Sequence, residues 1–588
     1  MPPTARSLPP AGAGGYPVLA GPAPSLFAQR WPGPAVGARP AVVGGLVAAA
    51  VVGAVSIPID RPGLGWLVAA VAAVAALAAV AVAHRTPGPN TSPRSGNTGE
   101  PDRGDAGDDT RPPSTQPRDV EPPDTRAPAT QPRDTRARDT RARHTRAREA
   151  GPGDARPRDG RPAGRTVERL AWAVATVTLV GVGVVRAADW LYVFCLLTAV
   201  MTGWLAVTDG RTVRGLLLAA LTPPVAVIRG VPWLARGTRR AAGSAPVRTL
   251  ATGVVSIVLL VVFGALFASA DAAFAGLVDD LLPDLSIDTV AEWVFLFAVL
   301  SVVLTGAAYL LAAPVDLRGI AGGGRRRVRR LEWAVPVGLL DLLFAAFVLV
   351  QVTVLFGGSE HVLRTADLTF AEYARGGFWQ LLVVTTGSLL VIAGAGRWAP
   401  RRTRPDRLLV RLLLGTLAGL SLVVVASAVH RMNLYTTAFG ATRLRLLVTA
   451  CELWLGLIFV LVLAAGIRLR AGWLPRVVLG AAVAALLGLV VVNPDRLIAD
   501  RNIDRYARTG RLDVAYLATL SADAVPAINR LTDRQRDCAL YPIATDLTEH
   551  PDDWRGTNLA RARARDLLGP DARRAPRPDC PVYVWPSP

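Results

Sequence analysis

Residues 408–429 read LLVRLLLGTLAGLSLVVVASAV, twenty-two positions of which only Arg411 is charged. At 1.5 Å per residue such a helix measures about 33 Å, enough to cross the hydrocarbon core of a bilayer. Arg411 stands near one end of the run, where a long side chain can reach the interface. Working outward, comparable apolar runs occupy residues 41–59, 66–83, 170–185, 191–207, 250–267, 293–313, 334–356, 380–396, 446–467 and 477–492. Together they predict an all-α polytopic transmembrane helical bundle of about eleven spans. Residues 215–234 are apolar too, but Pro223, Pro224, Arg229 and Pro232 interrupt them. An interfacial or re-entrant segment is the expectation there. A cleavable signal peptide is the weaker reading of the first run, because a long tail precedes it and a second run follows at once.

Composition agrees. The chain has 588 residues, 65 basic against 45 acidic side chains, a formal net charge of +20 and a mean hydropathy of +0.35. Apolar bulk and basicity coexist when they are segregated along the chain, as in a multi-pass protein with basic cytoplasmic loops. All 65 are Arg, with no Lys in the sequence. That excludes Walker-type phosphate loops, Schiff-base lysines and Lys nucleophiles. Arg counts in alternate loops set the orientation. Residues 208–249 carry seven, 268–292 none, and 314–333 six. The alternation places the N-terminus in the cytoplasm and, after eleven crossings, the C-terminus outside a bacterial plasma membrane.

Five segments follow. Residues 1–40 are a Pro-, Gly- and Ala-rich tail, and 41–84 a transmembrane hairpin around Asp60–Gly65. Residues 85–169 are an Arg-rich low-complexity cytoplasmic loop with DTRAR at 134–138 and 139–143 and HTRAR at 144–148. Such a loop cannot bury enough apolar surface to offset the entropy of ordering, so disorder is expected. It lacks aromatic interleaving for base stacking, so no specific nucleic acid is predicted. Residues 170–492 are the main bundle of about nine spans. Residues 493–588 read as a small extracytoplasmic helical domain, with a helix over 497–509 stopped by Gly510, Ser521 as an N-cap, and a further helix starting at Asp552. Cys538 and Cys580 are the only cysteines outside apolar runs, and an outside location makes a disulfide between them sensible.

Few residues offer chemistry. Asp341 lies inside the run at 334–356 with Gln351 on the same helix, and both can face the bundle interior. An Arg partner or a hydrogen bond across helices is the structural expectation for Asp341; a proton or cation relay is the functional one. Glu452 is placed near the outer end of its run. Residues 430–446, HRMNLYTTAFGATRLRL, interleave aromatics with Arg431, Arg443 and Arg445. They suit an outer loop at headgroup level: an interfacial helix cap is the plain reading, and contact with an anionic lipid or envelope polymer the sharper one. Glu360, His361, Asp367 and Glu372 form a loose acidic stretch without metal-ligand spacing. No GxSxG, HExxH or CxxC signature occurs, and no catalytic set, cofactor site or metal site is predicted.

Three stretches carry a resemblance. The first is Leu331-Glu-Trp through Pro336, Leu340-Asp341, Phe344, Phe347, Gln351 and Leu355-Phe-Gly-Gly358. The second is Phe370-Ala-Glu-Tyr-Ala-Arg375 with Gly377-Phe378. The third is His430-Arg-Met-Asn-Leu-Tyr435 through Gly440, Thr442, Arg443, Leu444 and Arg445, then Asn493-Pro-Asp495 and Arg501-Asn502. The pattern resembles the bacterial, often actinobacterial, membrane family of domain of unknown function 4173, related to number 4153. It covers residues 170–521 and the hairpin Arg61-Pro-Gly-Leu-Gly65. The resemblance implies the topology and no biochemical activity. The sequence reading is therefore a non-enzymatic envelope scaffold or sensing component, in contact with lipid and open to other membrane proteins. The alternatives are a secondary transporter using Asp341, or a membrane-embedded enzyme for lipid-linked substrates in which Asp271, Glu292 and Glu372 converge.

Overall fold

The computed structural model describes residues 31, 33–34, 36–84, 162–208, 213–241, isolated positions between 252 and 276, 287–314, 329–356, 378–469, 471–569, 580 and 583–584. The N-terminal tail to residue 30, residues 85–161, most of the run at 250–267, the acids at 279–284, the Arg run at 325–327 and the acidic stretch at 360–372 lie outside them. Residues 86–166 form a unit of their own, of which only the start of one helix is described. The rest of the chain is one compact unit.

Among the described residues that unit is all-α apart from one two-residue pairing. Helices α1 (Pro40–Ser56) and α2 (Leu64–Ala83) make an antiparallel hairpin, followed by α3 (Pro162–Val185), α4 (Asp189–Val207), α5 (Val213–Ala241) and α6 (Ile287–Ala312). A second group comprises α7 (Arg330–Phe356), α8 (Phe378–Trp398), α9 (Arg404–Phe439), α10 (Arg443–Arg468) and α11 (Leu474–Val492). Among the described residues nine of these helices are long and apolar enough to cross a membrane, and α1 is a shorter apolar helix. The chain is an integral membrane protein by that measure. Many exposed leucines and valines on these helices fit a lipid-facing surface.

Helix α5 is one continuous helix through Pro223, Pro224 and Pro232, although each Pro removes a backbone donor. Packing holds it. Trp233 is fully buried, and Gly230 and Gly306 let α5 and α6 approach so closely that a Cβ on either would stand 2.8 Å from the opposite helix. Arg229 donates to the Trp31 carbonyl at 2.6 Å and stacks on its ring, and Trp31 Nε1 donates to the Ala313 carbonyl at 2.8 Å.

Residues 430–439, expected in a loop, continue α9. Its start is a capping box on Thr403 and Asp406, and its stop is Gly440 at φ +87°. The loop proper is only residues 440–442.

The C-terminal part holds α12 (Pro494–Thr509), α13 (Val514–Leu517), a 3₁₀ turn Ala522–Ala524, α14 (Val525–Ile528), α15 (Asp533–Glu549) and α16 (Leu559–Leu568). Strand β1 (Leu512–Asp513) pairs antiparallel with β2 (Tyr583–Val584). α12 ends at Gly510, φ +67°. Ser521 precedes the 3₁₀ turn, but its hydroxyl does not cap it. The last helix starts at Asn558, not at Asp552, because Asn558 supplies the cap and Asp552 is engaged by Arg561 and Arg565. Ile498, Val514, Leu517, Val525, Ile528 and Ala539 form the shared core, which also takes in Ala187 and Ala441 from the helix group. Cys538 and Cys580 are disulfide-bonded, with Cα atoms 5.5 Å apart.

Candidate functional site

The C-terminal helices meet the bundle at three turns: α1–α2, α3–α4 and α9–α10. In the first, Gly65 packs onto the Ser56 carbonyl where a Cβ could not fit, so the turn is tight. Gly63 has backbone of residues 555–556 at 2.5 Å from where its Cβ would stand. The Leu64 and Gly65 amides then donate to Thr557 and Arg555 carbonyls at 3.1 and 2.8 Å. Glycine thus lets two backbones touch.

Four buried polar side chains lock the other contacts. Asn558 Nδ2 donates to the Gly183 and Arg186 carbonyls, which are orphans at the end of α3, while its Oδ1 accepts from Arg561 N at the start of α16. Arg561 holds Asp552 at 2.8 Å and donates to the Pro62 and Gly556 carbonyls. Asp523 accepts from the Ala187 amide at 2.7 Å and from Asn493 Nδ2 at 3.1 Å, with Arg186 at 3.6 Å. Asp495, wholly buried, accepts from Arg443 Nε and Nη2, Trp190 Nε1 and the Ser521 amide. A buried carboxylate with that many donors carries its charge at tolerable cost.

Electrostatics differ between the two acids. Burial pushes the Asp495 carboxyl up, but the hydrogen bonds and charge of Arg443 with the Ser521 amide outweigh it, and the group ends below the usual carboxylate range. Asp523 ends above its usual value: burial dominates, and the Ala187 amide and Arg186 offset only part of it. Burial likewise raises Tyr516, whose hydroxyl accepts from the Arg443 amide at 2.7 Å.

Inside this frame lies a cavity of about 390 Å³. Its lining sets Arg61, Arg443 and Arg561 against Asp60, Asp189 and Asp546, with Trp190 as the aromatic wall. Each guanidinium already has a carboxylate: Asp546 for Arg61, Asp495 for Arg443 and Asp552 for Arg561. The lining includes neither His nor Cys. Such a surface can hold a polar solute by hydrogen bonds and balanced charge.

The expected site residues fall in different places. Arg443 reaches the cavity. Arg445 turns inward to the Gly440 carbonyl and stacks 4.3 Å over Tyr435, and Arg431 donates to Gln351 Oε1 at 2.7 Å. Gln351 also accepts from Ser427 at 2.9 Å. Asp341 is buried with no hydrogen-bond partner on either oxygen among the described residues, so the expected Arg partner is not there. Glu452, placed by the sequence near an outer interface, is buried between helices and likewise has no hydrogen-bond partner among the described residues. Glu292 accepts from the Ile59 amide and Asp271 from the Phe274 amide; Glu372 is outside the described residues. Asp523, Asn558 and Arg561 were not foreseen. They are polar residues in a polar segment, and each has a partner more than 300 residues away.

Comparison with known proteins adds one finding. The model of the family described as domain of unknown function DUF4153 matches residues 174–531, from α3 to the end of the α14 region. Neither a curated protein nor a solved structure matches the chain. The match takes in Asp189, Trp190, Arg443 and Ser521 of the cavity lining together with Asp495 and Asp523, and covers more than half the sequence. The chain belongs to the DUF4153 family.

Proposed function

We propose that this integral membrane protein is a non-enzymatic envelope component of the bacterial plasma membrane that senses a polar solute on its outer face. One observation carries the reading. The cavity is walled jointly by the C-terminal helices and by the turns of membrane helices, so occupancy bears on both at once. The N-terminus is then cytoplasmic and residues 493–588 form the outer domain, supported by the Arg asymmetry of the loops and by the disulfide. The finer kinship with domain of unknown function 4173 and an actinobacterial source belong to the same reading; the quoted motifs and the Arg-only basic complement support them.

The test is thermal. Full-length protein in detergent is melted with a panel of small charged sugars, amines and phosphates. A solute that raises the Tm of the wild type should lose that effect in Thr519→Trp, which fills the cavity from its exposed rim. Stabilisation that survives the substitution, or turnover of a lipid-linked substrate by the protein, sinks the sensing reading.

A further inference from the structure

Two carboxylates lie sealed in the α7–α10 group, away from the cavity: Asp341 of α7, 8% exposed, and Glu452 of α10, 1% exposed. None of their four oxygens has a hydrogen-bond partner among the described residues. The charged groups around them are engaged elsewhere. On α9, Asp406 pairs with Arg330 of α7, Arg411 donates to the Ile467 carbonyl, and Arg431 binds Gln351. On α10 and α12, Arg443 pairs with Asp495, and Arg445 holds the Gly440 carbonyl. Arg476 of α11 pairs with Glu168. Glu332 accepts from the Arg329 amide, and His430, Cys451 and Arg468 are exposed. Arg404 and Arg407 of α9 and Arg397 of α8 lie at helix ends and form no ion pair with either acid.

Register places the two acids along one axis. α7 and α9 run parallel: Arg330 meets Thr403 and Asp406 at one end, and Gln351 meets Ser427 and Arg431 at the other. α10 runs antiparallel to α9, with Gly456 beside Val425 and Ile467 beside Arg411. Asp341 is thus about 16 Å from the Arg330 end and Glu452 about 14 Å from the Arg443 end, at 1.5 Å per residue. Between them, at an intermediate level on α9, buried Ser421 donates to buried Ser388 at 3.1 Å.

An ionised carboxylate without donors is costly in such surroundings, and ionisable groups kept inside a membrane bundle mark proton or ion pathways. An alkali cation needs several oxygens to replace its hydration shell, and among the described residues neither acid belongs to a group of three or more His, Cys, Asp or Glu side chains that could hold one. A proton needs one. We propose that Asp341 and Glu452 are intramembrane proton-binding sites, successive stations of a proton path along α9 with the Ser421–Ser388 pair between them. Each station gains and releases one proton, and the net change is transfer of that proton down its gradient. The proposal does not depend on the cavity.

Full-length protein is reconstituted into vesicles containing a pH-sensitive dye, and a potassium diffusion potential drives proton entry. Wild type should acidify the lumen faster than protein-free vesicles. Asp341→Asn and Glu452→Gln should each fall to the protein-free rate. Wild-type flux no faster than that of empty vesicles overturns the proposal, as does full flux in both carboxyl variants. Should a variant fail to reconstitute, infrared pH-difference spectra of wild type decide. A titrating carboxyl band from water-shielded acids supports the proposal, and its absence overturns it.

Discussion

Asp495 and Asp523 show how one polar cluster holds opposite pH responses. The folded pKa of Asp495 is depressed, so its stabilising contribution is present above the ordinary carboxylate value and lost as pH falls through the folded value. That of Asp523 is raised, so its contribution is present below the ordinary value and lost as pH rises through the folded one. Asp523→Asn removes the second response and keeps an acceptor for the Ala187 amide. As pH rises from the ordinary carboxylate value through the folded one, the Tm of the variant should rise more steeply than that of wild type. Parallel curves would uncouple Asp523 from folding. Little of this was legible in the sequence. Asp341 stands out because a carboxylate in an apolar run is conspicuous, yet whether it has a partner depends on helices elsewhere in the chain. Asp523 and Asn558 look like ordinary turn residues until α3 is brought against them.

At the level of elements, hydropathy marks only part of a helix. The apolar run ends at Val429, but α9 extends to Phe439 because the helix is closed only at Gly440. There the chain takes φ +87°, and a Cβ would collide with Asn502 Oδ1. Asn502 answers the turn as a strand neighbour would, accepting from the Ala441 amide at 2.9 Å and donating to its carbonyl at 2.8 Å. Gly440→Ala should therefore destabilise by more than about 1 kcal/mol, since both the backbone and the Asn502 contact oppose it. Unchanged melting of that variant would mean the turn relaxes freely. The start of α16 was misplaced for a related reason. Asp552 and Asn558 are both good capping residues, and the orphan carbonyls of α3 together with the Arg561 and Arg565 contacts of Asp552 select between them.

Across the whole unit outside residues 86–166, the contacts sort helix ends onto two sides. The turns at 57–63, 185–189 and 440–442, the end of α11 and the C-terminal helices share one side. The start of α6 joins them through Glu292 and Ile59, whereas the end of α6 meets Trp31, next to the start of α1. The chain must then change sides between the end of α4 and the start of α6, a stretch that includes the apolar run at 250–267. With the Arg-rich loops read as cytoplasmic, the proposed orientation puts the C-terminal helices outside. Reporter fusions after Arg330 should read as cytoplasmic and fusions after Arg511 as extracytoplasmic. In the isolated protein Cys538 and Cys580 should resist alkylation until reduced. Their bridge closes a 42-residue separation, worth roughly 4 kcal/mol by the chain-entropy relation. A cytoplasmic signal at Arg511, or two thiols alkylated without reduction, would put the C-terminal helices on the reducing side and remove the outer-face setting on which the sensing proposal stands.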